Sequence, residues 1–138
     1  MRATKKQIGD YGEKIAERYL KKRGWHIISN NYRAHGGEID IIGYRFGRLV
    51  CFEVKTRSND KFGAPSDAVD GEKLSNILKA RADFMQTYAR DKRVKVFYPF
   101  GIEKRRNINQ TRVDVIEVYL EDGAPTRINH IKDWENKL

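Results

Sequence analysis

Two short apolar runs that carry charged residues constrain the fold of this chain more than any other feature. They read GEIDIIGYR (37–45) and GRLVCFEVKTR (47–57), and they meet near Phe46 and Gly47. Short runs rich in Ile, Val and Phe and bounded by glycine are typical of strands, and so close a connection favours a hairpin. A β-hairpin with carboxylates along its strands is therefore the first predicted element.

Helical and strand periodicity extends this prediction to the rest of the chain. Helices are predicted at 4–23 and about 67–89, further strands at 25–34, 93–102 and 111–120, loops at 58–67 and 103–110, and a short strand and helical turn within 124–138. A helix, three strands, a helix and two strands predict an α/β fold with a mixed central β-sheet flanked by α-helices. The length of 138 residues predicts one domain over 1–138.

Composition excludes several classes of protein and favours one class of partner. The chain is 39% apolar and 34% charged, as in soluble globular proteins, and no segment approaches the about 20 apolar residues of a membrane span. The charged N-terminus lacks the pattern of a signal peptide, so a cytoplasmic protein without a membrane partner is expected. Cys51 is the single cysteine and rules out an internal disulfide. The net charge of +9 favours polyanionic partners, meaning nucleic acid or an anionic membrane surface.

Strand alternation predicts that the hairpin collects its charged side chains. The first strand is expected to place Glu38, Asp40 and Ile42 on one face and Ile39 and Ile41 on the other. In the second strand, Glu53 and Lys55 share a face. A regular antiparallel register then puts Asp40 opposite or diagonal to Glu53, roughly 5–8 Å away. A surface ion pair on a solvated sheet face is the simpler alternative, and the pattern alone leaves both open.

Neighbouring carboxylates of this kind suit metal-dependent chemistry on phosphates. Two such groups repel each other and bind either a proton or a cation. Mg²⁺ prefers one or two carboxylates together with water and phosphate oxygens, and the backbone carbonyl of Val54 would add a further ligand. Lys55, two residues after Glu53, could orient the attacking water or stabilise charge growing on a phosphate. The spacing therefore predicts a site for phosphodiester hydrolysis.

Five ordered motifs carry a resemblance to a known family. They are GDYGEKIAERYL, RAHGGEIDIIG, LVCFEVKTR, FGAPSDAV and TRVDVIEV, and they cover almost the whole chain. These motifs resemble the bacterial YraN-like family, which implies a restriction-endonuclease-like fold similar to that of archaeal Holliday-junction resolvases. The resemblance also implies an active site of Glu13, Asp40, Glu53 and Lys55 that uses Mg²⁺ or Mn²⁺. Helical spacing places Glu13 at the edge of the apolar face of the helix predicted at 4–23. The alternative is that Glu13 is an ordinary surface glutamate.

These observations lead to a functional hypothesis and two alternatives. The hypothesis is a metal-dependent endonuclease acting on DNA, with branched or structured DNA such as a Holliday junction as one substrate. Cations expected to contact the nucleic-acid backbone are Lys14, Arg18, Arg57, Lys61 and Lys73. A non-catalytic nucleic-acid-binding module and a regulatory subunit on the same fold are the alternatives. Resolution of a junction would require two symmetric sites, and hence a homodimer.

Overall fold

The computed structural model describes residues 3–58 and 70–137 and contains two helices and seven strands within them. The helices are α1 (Lys5–Lys22) and α2 (Gly71–Tyr88). The strands are β1 (His26–Ala34), β2 (Gly37–Arg45), β3 (Arg48–Ser58), β4 (Arg93–Phe97), β5 (Glu103–Asn107), β6 (Gln110–Glu121) and β7 (Ala124–Ile131). Short 3-10 turns lie at Pro99–Gly101 and Trp134–Asn136.

The central sheet is mixed, as predicted. Its five strands lie in the order β1-β2-β3-β6-β7. The β3–β6 pair is parallel, and the other three pairs are antiparallel. A parallel pair needs a long crossover, which α2 and the β4–β5 hairpin provide here. The parallel neighbour of β3 is thus β6, whereas β4, the strand that directly follows α2, lies in a separate sheet.

Each face of the sheet is covered by one helix. Ala16 and Leu20 of α1 pack in one apolar cluster with Phe52, while Ile77 and Phe84 of α2 belong to a second cluster on the other face. The central strand β3 contributes to both clusters and is buried on both sides over much of its length. This arrangement explains why its sequence LVCFEV is nearly continuously apolar rather than alternating. The prediction of a sheet flanked by helices is confirmed.

Both helices begin where the sequence supplies a capping side chain. Thr4 accepts a hydrogen bond from the Gln7 amide at 3.1 Å, and Gln7 Oε1 accepts one from the Thr4 amide at 2.9 Å. This reciprocal capping box satisfies two amides that have no partner within the helix. Asp70 caps α2 through the Lys73 amide at 2.9 Å. Because α1 starts at this cap, its first turns have a defined position at the end of the sheet.

Two sequence predictions were wrong in the region after α2. The strand predicted at 93–102 ends at Phe97, and the basic loop predicted at 103–110 contains strand β5. Every residue of β5 is exposed, so the segment shows no apolar periodicity that could have revealed a strand. It pairs with β4, whose Val94 and Val96 are buried, in a two-stranded sheet separate from the main one.

Two further expectations concern the loop predicted before the second helix and the lack of a membrane-spanning segment. Of the loop predicted at 58–67, only Ser58 belongs to the described residues. The FGAPSDAV motif and the predicted start of the second helix, at about residue 67, lie outside them. Within residues 3–58 and 70–137, no helix combines the length and apolar character needed to cross a membrane.

Candidate active site

An open cleft lies between the start of α1 and the ends of β2 and β3. Its volume is about 330 Å³. The lining side chains are predominantly charged or polar: Lys5, Lys6, Ile8, Gly9, Asp10, Glu13, Asp40, Glu53, Val54, Lys55 and Thr56. All four predicted catalytic residues are in this set, although they come from three different elements. The structure therefore brings together residues that are up to 42 positions apart in sequence, from Glu13 to Lys55.

Strand β2 is irregular at the position of Asp40, which corrects the predicted alternation. Ile39 and Ile42 pack in the cluster beneath α2, whereas Ile41 packs in the cluster beneath α1. A regular strand would place Ile39 and Ile41 on the same face. Asn31, the residue of β1 across from this point, has a positive φ of 52°. The two strands thus change face together, and a local distortion of this kind re-aims the side chain of Asp40.

Asp40 occupies the point where the β2–β3 ladder ends. The last paired residues are Ile41 and Phe52. Asp40 Oδ2 accepts a hydrogen bond from the Val54 amide at 2.8 Å, which replaces the next rung of the ladder. This bond fixes the Asp40 carboxylate beside Glu53, and each affects the other electrostatically. The predicted proximity of Asp40 and Glu53 is therefore present, through a side-chain bond rather than a regular register.

Glu53 is a buried carboxylate with an unsatisfied oxygen. The residue is only 4% exposed, and its Oε2 has no hydrogen-bond partner within the described part of the chain. Its Oε1 lies 3.4 Å from Lys73 Nζ of α2. Burial and, to a smaller extent, the negative charge of Asp40 raise the pKa of Glu53 to about 8, because the Lys73 ammonium offsets only part of their effect. A buried, unpaired carboxylate oxygen is costly, so a cation at this oxygen would be strongly favoured.

Glu13 approaches the same cleft from α1. It precedes Lys14 and follows Gly12, whose Cα hydrogen faces Thr56 of β3. Burial, with a smaller contribution from the nearby Asp40 carboxylate, raises the pKa of Glu13 to about 7. Glu13, Asp40 and Glu53 thus form a group of mutually repelling carboxylates. Such a group is typical of sites whose charge is balanced by a ligand.

We expect Gly12→Ala to destabilise the protein and disturb the position of Glu13. A Cβ at Gly12 would lie 1.8 Å from Thr56 Oγ1 and 3.0 Å from Thr56 Cβ, so α1 would have to move away from β3. Overpacking of this kind costs about 1–3 kcal/mol. Urea unfolding would measure the loss, and the double variant Gly12→Ala/Thr56→Ala should recover part of it. Equal stability of wild type and Gly12→Ala would show that α1 docks differently.

Lys55 and two residues of α1 supply positive charge at the cleft. The Lys55 side chain makes no ion pair or hydrogen bond with the residues in 3–58 and 70–137, so its ammonium is available to a ligand. Lys5 and Lys6 also line the cleft, and Lys6 pairs with Asp10 at 3.0 Å. The spacing of Lys6, Asp10 and Glu13 is i, i+4, i+7, which puts them on one helix face and could have identified them together.

The cations predicted to contact nucleic acid have different surroundings. Arg57 is paired with Glu117 at 3.2 Å, and Lys73 with Glu53. Lys14 and Arg18 are exposed on α1 but do not line the cleft. Lys61 lies outside the described residues. Among the four described members of this predicted set, Lys73 is therefore the cation that contacts a carboxylate of the cleft directly.

Comparison with known proteins identifies the family. Residues 12–118 match the model of a family described as "Uncharacterised protein family UPF0102". The chain belongs to this family. It is 38% identical over 132 residues to the UPF0102 protein TTE1452 of Caldanaerobacter subterraneus, covering 94% of this chain and 95% of the relative. It is also 32% identical over 126 residues to a UPF0102 protein of Syntrophomonas wolfei, covering 91% and 95%. These matches confirm the resemblance to the YraN-like family.

The donor set of the cleft suits a hard divalent cation, although it is not a preformed cage. No three His, Cys, Asp or Glu side chains within 3–58 and 70–137 already converge as metal ligands do. Asp40 and Glu53 nevertheless lie side by side, and none of the described residues donates a hydrogen bond to Glu53 Oε2. Mg²⁺ and Mn²⁺ require only one or two carboxylates when water and phosphate oxygens complete the shell. The residues present thus fit a metal that is bound jointly by protein and substrate.

Proposed function

We propose that this UPF0102 member is a metal-dependent endonuclease that hydrolyses phosphodiester bonds in DNA, including branched DNA such as Holliday junctions. A restriction-endonuclease-like fold and a single domain over 1–138 are parts of the same proposal. The observation that carries it is the buried, unpaired Glu53 Oε2, which lies beside Asp40 in a cleft also lined by Glu13 and Lys55. A protein that only binds nucleic acid has no use for clustered carboxylates at its contact surface, because they repel phosphate.

Within this proposal, each residue of the cleft has a defined task. Glu13, Asp40, Glu53 and the Val54 carbonyl would hold Mg²⁺ or Mn²⁺. Such an ion, when bound, promotes ionisation of water and neutralises charge on the phosphate. Asp40 is already fixed for this role by the Val54 amide. Lys73 would balance the charge of Glu53 in the metal-free protein, since the two side chains are paired at 3.4 Å.

Lys55 would act on the reacting phosphate. A water oxygen attacks phosphorus as the bond to the leaving oxygen breaks, and the leaving oxygen finally takes up a proton. The Lys55 ammonium is not engaged by described residues, so it can orient this water or donate to the phosphate oxygens, where negative charge grows. Lys5 and Lys6 at the mouth of the cleft would attract the backbone on either side of the scissile bond.

A cleavage assay tests this function. Labelled four-way junctions, flaps, single strands and duplexes, each in DNA and RNA, would be incubated with wild type in Mg²⁺, Mn²⁺ or EDTA. We expect cleavage with metal only, and none by Glu53→Gln. The exposed carboxylate of Glu121, outside the cleft, provides the matched control Glu121→Gln, which should cleave like wild type. Cleavage that persists in EDTA, or in Glu53→Gln, would overturn the proposed mechanism.

A second candidate function is a non-catalytic nucleic-acid-binding module. The Lys73–Glu53 ion pair favours it, because a cation of the protein already occupies one side of the buried carboxylate. This alternative predicts salt-sensitive binding to DNA with no metal-dependent product. Binding without cleavage of any substrate in the assay would therefore select the module over the nuclease.

Metal binding should also be visible without DNA. At a hundredfold excess of metal over Kd, the stabilisation is about 2.7 kcal/mol, which raises Tm by about 8–12 °C for a chain of this size. We expect Mn²⁺ to produce such a rise in wild type and not in Glu53→Gln, because the substitution removes the buried carboxylate. Calorimetry with and without Mn²⁺ measures it. An equal rise in both proteins would place the metal elsewhere.

A further inference from the structure

Two turns of the chain share the sequence pattern Tyr-x-Phe-Gly and the same unusual backbone. They are YRFG (44–47) between β2 and β3 and YPFG (98–101) between β4 and β5. Phe46 has a φ of 49° and Phe100 a φ of 65°, and the glycine that follows each has a positive φ as well. Phe46 is 83% exposed and Phe100 is 100% exposed. Both turns therefore present an aromatic ring to solvent from a left-handed residue.

Neither the conformation nor the exposure of these phenylalanines favours folding. A bulky residue in the left-handed region costs roughly 1–2 kcal/mol, and Asn-Gly or Asp-Gly is the preferred choice for such a turn. The same chain uses that choice between β6 and β7, where Asp122 and Gly123 have φ values of 51° and 79°. Strained, exposed residues of this kind are typical of functional positions rather than of structural ones.

One of the phenylalanines borders a pocket shared by the two turns. The pocket has a volume of about 320 Å³, and its lining contains aromatic rings and guanidinium groups but no carboxylate: Gly24, His26, Tyr44, Arg45, Phe46, Tyr98 and Arg106. The His26 and Tyr98 rings lie 4.9 Å apart between centroids, which closes one side. The tyrosines of both Tyr-x-Phe-Gly turns, Tyr44 and Tyr98, are members of this lining.

No carboxylate within residues 3–58 and 70–137 neutralises the two arginines of the pocket. The Arg45 guanidinium lies 4.6 Å from the Trp25 ring and 5.7 Å from the Phe46 ring, and its Nε is buried without a hydrogen-bond partner among the described residues. Arg106 Nε donates to the Tyr98 hydroxyl at 2.8 Å. Neither arginine pairs with a carboxylate within 3–58 and 70–137, unlike Arg105 next in sequence, which binds Asp91 at 2.7 Å. The pocket thus offers stacking surfaces and uncompensated positive charge together.

We propose that this aromatic pocket and the Phe100 turn bind unpaired nucleobases of a polynucleotide, with Arg45 and Arg106 contacting the adjoining phosphates. The proposal rests on the proposed function and adds that the substrate contains unstacked bases. Every base has a π-face, so rings beside cations recognise single-stranded segments regardless of sequence. Lys104, two residues before Arg106 on the exposed strand β5, lies on the same strand face and extends the positive surface from the pocket.

The position of the pocket relates it to the carboxylate cleft. Arg45 lies five residues after Asp40 in the same strand, a separation of roughly 17 Å. That span corresponds to about five nucleotide steps of stacked DNA. An unpaired base in the pocket would therefore lie several nucleotides from the phosphate in the cleft. A substrate with a junction or flap between paired and unpaired segments meets this requirement, whereas a continuous duplex does not.

Binding measurements on Phe46→Asn and Phe100→Asn test the proposal. Fluorescence anisotropy in EDTA would compare a flap DNA, a flap RNA and a duplex of equal length. Asn-Gly suits both turns, so the variants should be at least as stable as wild type in thermal unfolding. We expect each variant to bind the flap probes about tenfold more weakly and the duplex nearly unchanged. Wild-type affinity of both variants for the flap probes, or an equal loss for flap and duplex, would overturn the proposal.

Two further measurements exclude a purely structural explanation. Asp122→Phe places a phenylalanine in the turn between β6 and β7. We expect this variant to have a lower Tm than wild type, and we expect its affinity for the flap to rise no more than its affinity for the duplex. Photo-crosslinking with 5-iodouracil in the unpaired segment should modify peptides containing Phe46, Tyr98 or Phe100. Crosslinks confined to other peptides would contradict the proposed site.

The outcomes also separate this proposal from the proposed nuclease function. Flap binding that depends on Phe46 and Phe100 in EDTA, with no metal-dependent cleavage of any probe, would support the base-binding site and remove the nuclease. Metal-dependent cleavage with flap binding insensitive to both substitutions would remove the base-binding site alone. A preference of the flap DNA over the flap RNA, or the reverse, would identify which polynucleotide the pocket selects.

Discussion

Lys55→Ala is expected to lower the rate of metal-dependent DNA cleavage by about a thousandfold, the effect of removing one preorganised charge from a transition state. The Lys55 ammonium lines the carboxylate cleft and has no ion pair among the described residues, so its removal leaves no buried partner unsatisfied. Folding and DNA affinity should therefore change little. Single-turnover cleavage, with enzyme in excess over a labelled four-way junction, would isolate this effect on the chemical step.

The conservative substitution Lys55→Arg and a surface control sharpen this test. Arginine keeps the charge but not the compact ammonium geometry, so partial activity would indicate that Lys55 acts through its charge. Lys14→Ala removes an exposed lysine from α1 that does not line the cleft, and it should reduce cleavage far less. Unimpaired cleavage by purified Lys55→Ala would show that the lysine has no part in the reaction.

Asp114→Ala is expected to destabilise the protein by about 3–5 kcal/mol, because it removes one partner from a buried charge network. Asp114 is fully buried in β6 and accepts hydrogen bonds from Arg112 Nε at 2.8 Å and from the Asp133 amide at 2.9 Å. His130 Nε2 lies 2.8 Å from its Oδ2. Urea unfolding measures the loss. Asp91→Ala, which breaks an exposed pair with Arg105, serves as the control and should cost much less.

Asp114 should also make the free energy of unfolding depend on pH in the acid range. Burial raises the pKa of Asp114, but hydrogen bonds from His130, Arg112 and the Asp133 amide outweigh it and hold the pKa below its usual value. A lowered pKa stabilises the folded state above the unfolded value of about 4, and this contribution is lost as the pH falls through the folded value. Unfolding free energies between neutral and acid pH should fall more steeply for wild type than for Asp114→Asn. Parallel profiles would contradict this role.

The sequence predicted much of the cleft because three of its residues lie on strands that follow each other in the chain. Asp40, Glu53 and Lys55 fall on two strands joined by a two-residue turn, so short-range geometry nearly suffices to bring them together. The shared face predicted for Ile39 and Ile41 was wrong, because the irregularity that moves them to opposite faces leaves no sign in the amino-acid pattern. Glu13 required the family resemblance, since a helix shows which residues share a face but not what that face contacts.

The sequence by itself determined both helices, the β2–β3 hairpin and the mixed sheet, because periodicity, capping residues and turn residues are local properties. Only the tertiary structure decided that β5 is a strand and that Lys73 pairs with Glu53. It also gathered Tyr44, Phe46 and Tyr98 around one pocket, although their motifs are more than 50 residues apart. Burial and charge at such places depend on contacts between distant segments, and no pattern within a single segment encodes those contacts.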